Sequence, residues 1–296
     1  MRAGGDDTTL VAMDELLERA CRQLGADPVK VAALSGGDVC RVERADLADG
    51  RRVVIKTHRS PRPDFFTTEA VDLQWLDAAE AVAVPDVLAV SDTPGGAFLA
   101  LEWIEATGTP AGDGRFGAQL ADLHLSGADC FGRSDGRLTT SHGLGNRPTD
   151  TWAEFFATQR LEPLLAKAFA HGLDERIGRD LDRVIDRLEL LVGDPEPPAR
   201  LHGDLWAGNR LVDASGASWL IDPACLGGHR EFDLAMMQLF GGFSDRELAT
   251  YGDVHPLAEG WSERVALHQL PPLLSHAIKF GGSYVAALDR AAHQLL

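Results

Sequence analysis

Cysteine is scarce in this chain: four residues in 296, at Cys21, Cys40, Cys130 and Cys225. They form no Cys-x-x-Cys pair and have no metal-ligand spacing, which excludes a disulfide framework or thiolate zinc site and points to reduced thiols in a cytoplasmic protein. Long apolar runs are missing too. No stretch approaches the roughly 18 apolar residues that a membrane-spanning helix needs. Met1 to Thr9 is polar and acidic rather than signal-like, and there are no internal repeats. Basic residues are in the minority, 28 Lys and Arg against 45 Asp and Glu, giving a net charge of -17. That balance argues against partners such as nucleic acid or an anionic membrane. With 45% hydrophobic and 25% charged residues, the chain reads as globular and is long enough for two cores.

The chemistry is concentrated between His202 and Asp222. Asp204 precedes Asn209 by five positions and Asp222 by eighteen. Between the last two, Leu211-Val212 and Trp219-Leu220-Ile221 flank the turn Asp213-Ala214-Ser215-Gly216, a pattern that predicts a β-hairpin with a Gly-containing loop. A hairpin brings its feet together, so Asn209 and Asp222 are expected at one point, with Asp204 on the preceding loop. Mg²⁺ takes hard oxygen ligands and only one or two from protein; Asp222 and Asn209 meet that need. Asp204, kept off the metal, is then a carboxylate able to accept a hydroxyl proton as the alcohol attacks a γ-phosphate. Protein-kinase catalytic loops hold an Asp and an Asn in the same order and spacing.

Upstream, helical periodicity over residues 12–24 ends at Gly25. Strands are expected at Val31–Leu34, Val39–Ala45 and Arg52–Thr57, and again at Val87–Val90 and Phe98–Leu101, making a five-stranded sheet. The turn at Ser35-Gly36-Gly37-Asp38 has glycines that let backbone amides approach nucleotide phosphates. Lys56 ends a strand, as the phosphate-pairing lysine of kinases does. The helix from about Phe65 to Ala79 carries Glu69, suited to hold that lysine. The segment Glu102-Trp103-Ile104 leaves the sheet where backbone groups can receive adenine. A boundary is therefore expected near residue 104, dividing 1–104 from 105–296, with Thr107-Gly108-Thr109-Pro110 as linker. The remainder reads as helical: a buried face at Phe116, Leu120, Leu123 and His124, then helices at 152–171, 174–192, 245–252, 257–270 and 273–295.

Taken together, these motifs resemble the fructosamine kinase (ketosamine kinase) family of the aminoglycoside-phosphotransferase branch. The branch-level likeness lies in Phe116-Gly117, Leu120 to His124, His202-Gly-Asp204, Asn209, Asp222 and Asp233-Leu-Ala235. More specific are Trp206, Ile221 to Ala224, Arg230 to Met236, Leu239 to Phe243, Gly143 to Asn146, and Phe280 to Tyr284. Cys225-Leu226 and His229 depart from the usual pattern, which bears on the exact substrate. The resemblance implies a two-lobed α+β protein-kinase-like fold, with a small antiparallel-sheet N-lobe and a mainly helical C-lobe. It implies ATP and Mg²⁺ as cofactors, Asp204 as base, Asn209 and Asp222 as metal ligands, and Lys56 and Glu69 on the nucleotide phosphates. His202 and Asp233 would support the loop. Trp206 and Glu231 would read the sugar face and protonated amine of the acceptor. The implied reaction is phosphorylation of the 3-hydroxyl of fructosamine or ribulosamine for deglycation, with protein-bound adducts as further partners. Kinases for another small alcohol (an aminoglycoside, choline, homoserine or a different sugar) and a nucleotide-binding pseudokinase are the alternatives.

Overall fold

The computed structural model describes residues 14–34, 39–106, 108–109, 114–139 and 143–296. The chain divides into two compact units, one of residues up to Ala70 together with Asp86–Trp103, the other of Val71–Pro85 and Ile104–Leu296.

The first unit contains α1 (Glu15–Leu24), β1 (Pro28–Ala33), β2 (Arg41–Leu47), β3 (Arg52–His58), the beginning of α2 (Phe65–Asp77), β4 (Val87–Thr93) and β5 (Gly96–Glu102). Its strands form one antiparallel sheet in the order β1-β2-β3-β5-β4, the five strands that alternation predicts. Alternation also sets its buried face: Ala45 and Leu47 of β2, Val53 and Ile55 of β3, and Phe98 and Ala100 of β5 pack with Leu17, Ala20 and Cys21 of α1. Asp14 caps α1 by accepting from the Leu16 amide at 3.1 Å, and Gly25 closes it with φ of 75°, a left-handed conformation that suits glycine. Lys56 lies on β3, paired in register with Val42 on one side and Leu99 on the other. The sheet thus holds the lysine's backbone from both flanks.

The second unit is mainly helical. It contains α3 (Arg115–Leu125), α4 (Trp152–Phe155), α5 (Glu162–Ala170), α6 (Glu175–Ile185), α7 (Leu188–Leu191), α8 (Glu231–Leu239), α9 (Asp245–Val254), α10 (Trp261–His268), α11 (Leu270–Phe280) and α12 (Ser283–Gln294). Trp152, Phe155, Phe156, Leu164, Leu181, Phe232 and Leu274 belong to its core. Two short ribbons interrupt the helices, β6 (Ala199–Leu201) with β9 (Leu226–Gly228), and β7 (Arg210–Val212) with β8 (Ser218–Leu220). No helix among the described residues is long and apolar enough to cross a membrane.

The helix expected over 152–171 is not continuous. Residues Phe156–Leu161 form a π-helical turn between α4 and α5. Pro163 has no amide hydrogen to give the carbonyl of Gln159, and that carbonyl instead accepts from Arg160 Nη1 at 2.9 Å. The helix expected over 273–295 breaks at Gly281 and Gly282, both with positive φ.

Candidate active site

From β6 the chain enters the segment His202 to Asp204 and meets a carboxylate from the next helix. Asp233, fully buried in the first turn of α8, accepts from the His202 amide at 2.8 Å with one oxygen and from the Gly203 amide at 2.9 Å with the other. Gly203 has φ of 80°, and a β-carbon there would stand 2.0 Å from the Ala224 carbonyl oxygen. Only glycine passes this point without displacing backbone. The His202 ring ties the loop to the far foot of the hairpin. Its Nδ1 accepts from the Asp204 amide at 3.2 Å, so Nε2 carries the proton and donates to the Ile221 carbonyl at 3.0 Å. Burial pushes the His202 pKa down, which keeps the ring neutral in that role. Behind Asp233, His124 Nε2 lies 3.4 Å from its carboxylate, while Nδ1 contacts the Tyr251 hydroxyl at 2.8 Å.

After Asp204 a 3₁₀ turn at Ala207–Asn209 leads into the β7–β8 hairpin. The Ile221 amide donates to the Asn209 carbonyl at 3.0 Å, closing the feet of the hairpin. Asn209 Nδ2 donates to both the Asp204 carbonyl (2.9 Å) and its carboxylate (3.0 Å). Asp204 and Asn209 are therefore in direct contact, and Asp222 follows Ile221 at the other foot. Asp222 has φ of 54°, in the left-handed region that few residues other than glycine, asparagine and aspartate enter. Burial drives the Asp204 carboxyl up to about 7; the Asn209 amide opposes this, while the Asp222 and Asp233 charges reinforce it. A carboxyl poised near neutrality, gripped by an amide, is suited to accept a proton from a hydroxyl.

In the first unit, Lys56 Nζ and Glu69 Oε1 are 2.5 Å apart, with both side chains buried. An ammonium held this way is fixed in place by its partner. Glu102 at the end of β5 uses its amide on the Asp86 carbonyl (2.9 Å), and Arg44 lies over the Trp103 ring at 5.4 Å. Ile104 is buried. Gly36 and Gly37 lie outside the described residues.

Two candidate acceptor residues part company. Trp206 is 38% exposed, two positions after Asp204. Glu231, expected as a reader of the substrate amine, is 2% exposed. Both its oxygens are taken by Arg264, at 2.6 and 2.8 Å. A carboxylate enclosed in an arginine fork offers an amine no open face, so Glu231 is corrected to an internal ionic anchor. Its partner stands 33 residues downstream, a separation without local spacing signal. Arg133 was missed for the same reason: it pairs with Asp72, whose other oxygen accepts from the Cys225 amide at 3.1 Å. Arg210, paired with Glu247 at 2.5 Å and lying over Phe116 at 4.2 Å, anchors the base of the hairpin.

His229, Glu231 and His268 place ligating atoms within 4.8 Å of one another, all buried. Burial alone would raise the Glu231 carboxyl, but the Arg264 fork, with His268 and His229, brings it to about 2. His229 is pushed down to about 4 by burial and by His268, and His268 is lowered by burial. These folded-state values lie below the ordinary 4.5 of Glu and 6.5 of His. Their stabilisation is therefore complete above pH 6.5 and is lost as pH falls, first through the His229 window down to about 4. The melting temperature should drop steeply over that window, and His229→Asn should flatten the drop. Parallel profiles for the two proteins would refute this origin.

Residues 13–296 match the model of the fructosamine kinase family. A protein of Enterococcus faecium assigned as a ketoamine kinase is 37% identical over 270 residues, covering 88% of this chain and 93% of that protein. Ketosamine-3-kinase of Mus musculus is 30% identical over 307 residues, covering 92% and 96%. The crystal structure of a Thermobifida fusca protein assigned as a fructosamine-3-kinase superposes with a TM-score of 0.85 at 39% identity, covering 94% of this chain and 96% of that one. The family match spans nearly the whole chain, so the chain belongs to the fructosamine kinase family and is a small-molecule kinase of protein-kinase-like fold.

Proposed function

We propose that this kinase transfers the γ-phosphoryl group of ATP to the 3-hydroxyl of a ketosamine such as fructosamine or ribulosamine. The reading is carried by one observation: the Asp204 carboxylate held by the Asn209 amide in a loop braced by Asp233, on a chain whose relatives are named for ketosamine phosphorylation. Asp204 accepts the hydroxyl proton as the sugar oxygen bonds to the γ-phosphorus, and the bond to the β-phosphate oxygen breaks to release ADP. Lys56, held by Glu69, pairs the nucleotide phosphates, with Gly36, Gly37 and the Glu102 to Ile104 backbone on the rest of the nucleotide. Trp206 offers its exposed ring to the sugar. A 3-phosphate weakens the sugar–amine linkage, so the biological outcome is removal of glycation adducts, including adducts on protein lysines.

The donor set of the hairpin fits Mg²⁺. Asn209 uses Nδ2 on Asp204, which leaves Oδ1 as its remaining polar atom, and Asp222 adds a carboxylate, together the one or two protein oxygens such an ion takes. Bound there, the ion would neutralise charge on the transferring phosphate. An ADP-release assay across ribulosamine, fructosamine, choline and an aminoglycoside tests the acceptor: turnover is expected with the ketosamines. Faster turnover of choline or the aminoglycoside would overturn it. Asp222→Asn should abolish Mg²⁺-dependent turnover, and unchanged Mg²⁺ dependence would remove Asp222 as ligand.

A further inference from the structure

Asp233, which braces the catalytic loop, is itself met from behind by a line of buried polar groups. At the far end Arg230 forks both oxygens of Glu196 at 2.8 Å and donates to the carbonyls of His255 and Pro256 at 3.1 and 2.8 Å. It also hydrogen-bonds the Tyr251 hydroxyl. Tyr251, on α9, meets His124 Nδ1 at 2.8 Å, and His124 Nε2 lies 3.4 Å from Asp233 Oδ2. That same oxygen accepts from the His202 amide at 2.8 Å. Arg230, Tyr251, His124 and Asp233 are each no more than 3% exposed. Close packing sets the reach of the line. The helices carrying His124 and Tyr251, α3 and α9, press together at Gly117, where a β-carbon would stand 1.8 Å from the Glu247 carbonyl oxygen.

Chemistry gives the line a direction. Arginine only donates, so the Tyr251 oxygen accepts at that end. Burial pushes the Tyr251 pKa up against the pull of Arg230, so the hydroxyl keeps its own hydrogen to give. A carboxylate only accepts, so Nε2 must carry the hydrogen for its contact with Asp233 to be attractive. A neutral imidazole has one N–H, which leaves Nδ1 as the acceptor of the Tyr251 O–H. With the tautomer reversed, the ring would turn a lone pair on the carboxylate. Simple satisfaction of buried polar groups would not depend on direction. The hold on Asp233 does.

We infer that Tyr251 and His124 are positioning residues for phosphoryl transfer: Tyr251 sets the tautomer of His124, and the His124 Nε2–H holds Asp233 where it grips the His202 and Gly203 amides ahead of Asp204. The inference rests on the role proposed above for Asp204. Tyr251→Phe removes only the hydroxyl. In histidine-labelled protein, ¹⁵N shifts report which ring nitrogen carries the hydrogen, and the His124 signals are those lost in His124→Gln. The native ring should carry it on Nε2, and Tyr251→Phe should move it wholly or partly to Nδ1. With fructosamine as acceptor, the same variant should lower kcat about tenfold while KM for ATP stays within about twofold. The amide introduced by His124→Gln donates whether or not the hydroxyl is present. Adding Tyr251→Phe to it should therefore change kcat by less than about twofold. An Nδ1–H tautomer in the native protein, full kcat in Tyr251→Phe, or the same loss in both backgrounds would overturn the inference. The native tautomer needs neither acceptor nor the Tyr251 variant, so it decides even where that variant fails to fold. No turnover of fructosamine beside an Nε2–H tautomer would overturn the ketosamine reading and leave the positioning chain standing.

Discussion

Replacing Asp204 by asparagine should lower kcat by about 10²–10⁴-fold, the range typical of losing a positioned general base, and should raise the melting temperature of the nucleotide-free protein. The two effects share one cause. Burial holds the folded carboxyl at about 7 against an ordinary 3.8, so ionisation opposes folding increasingly as pH rises between those values. Asparagine is close in shape and has no charge to bury. The gain in melting temperature should therefore be largest at pH 7 and above and vanish below about pH 4. Near-normal kcat would remove Asp204 as base, and a lower melting temperature at neutral pH would show that the carboxylate is needed for the loop's shape instead.

The largest effect on stability is expected at Arg264. Arg264→Met leaves the Glu231 carboxylate, 2% exposed, without the fork that neutralises it. Removing one partner of a buried ion pair costs about 3–5 kcal/mol, a large fraction of a domain's usual margin. Thermal unfolding of the variant measures the loss. Adding Glu231→Gln to Arg264→Met should recover much of it, because the stranded charge is then gone. A double variant no more stable than the single one would place the loss in packing around the arginine stem.

These ionic anchors were also the least legible part of the chain. The five strands and the β7–β8 hairpin could be read because side chains alternate with period two and turns use Asp, Ser and Gly. The grouping of Asp204, Asn209 and Asp222 followed from the hairpin, since its geometry is local. Arg264 with Glu231 and Arg133 with Asp72 join residues far apart in sequence, and neither has a pattern that periodicity detects. The three-residue strands β6 and β9 are too short to show alternation. At Phe156–Leu161 one wider turn replaces an α-turn, and an apolar stripe drifts too little over six residues to reveal it. Glu231 has the charge to read an amine, but its burial is decided by tertiary packing that the sequence does not display.

The backbone at Asp222 narrows the choice of residue before any reaction is considered. At φ of 54° a β-branched or bulky side chain would be strained, leaving glycine, asparagine and aspartate as the usual occupants. Glycine brings no oxygen and asparagine no negative charge. The bend at the foot of the hairpin and the anion that the proposed Mg²⁺ site calls for meet in aspartate alone, so under that proposal a substitution there cannot be conservative in shape and in charge at once.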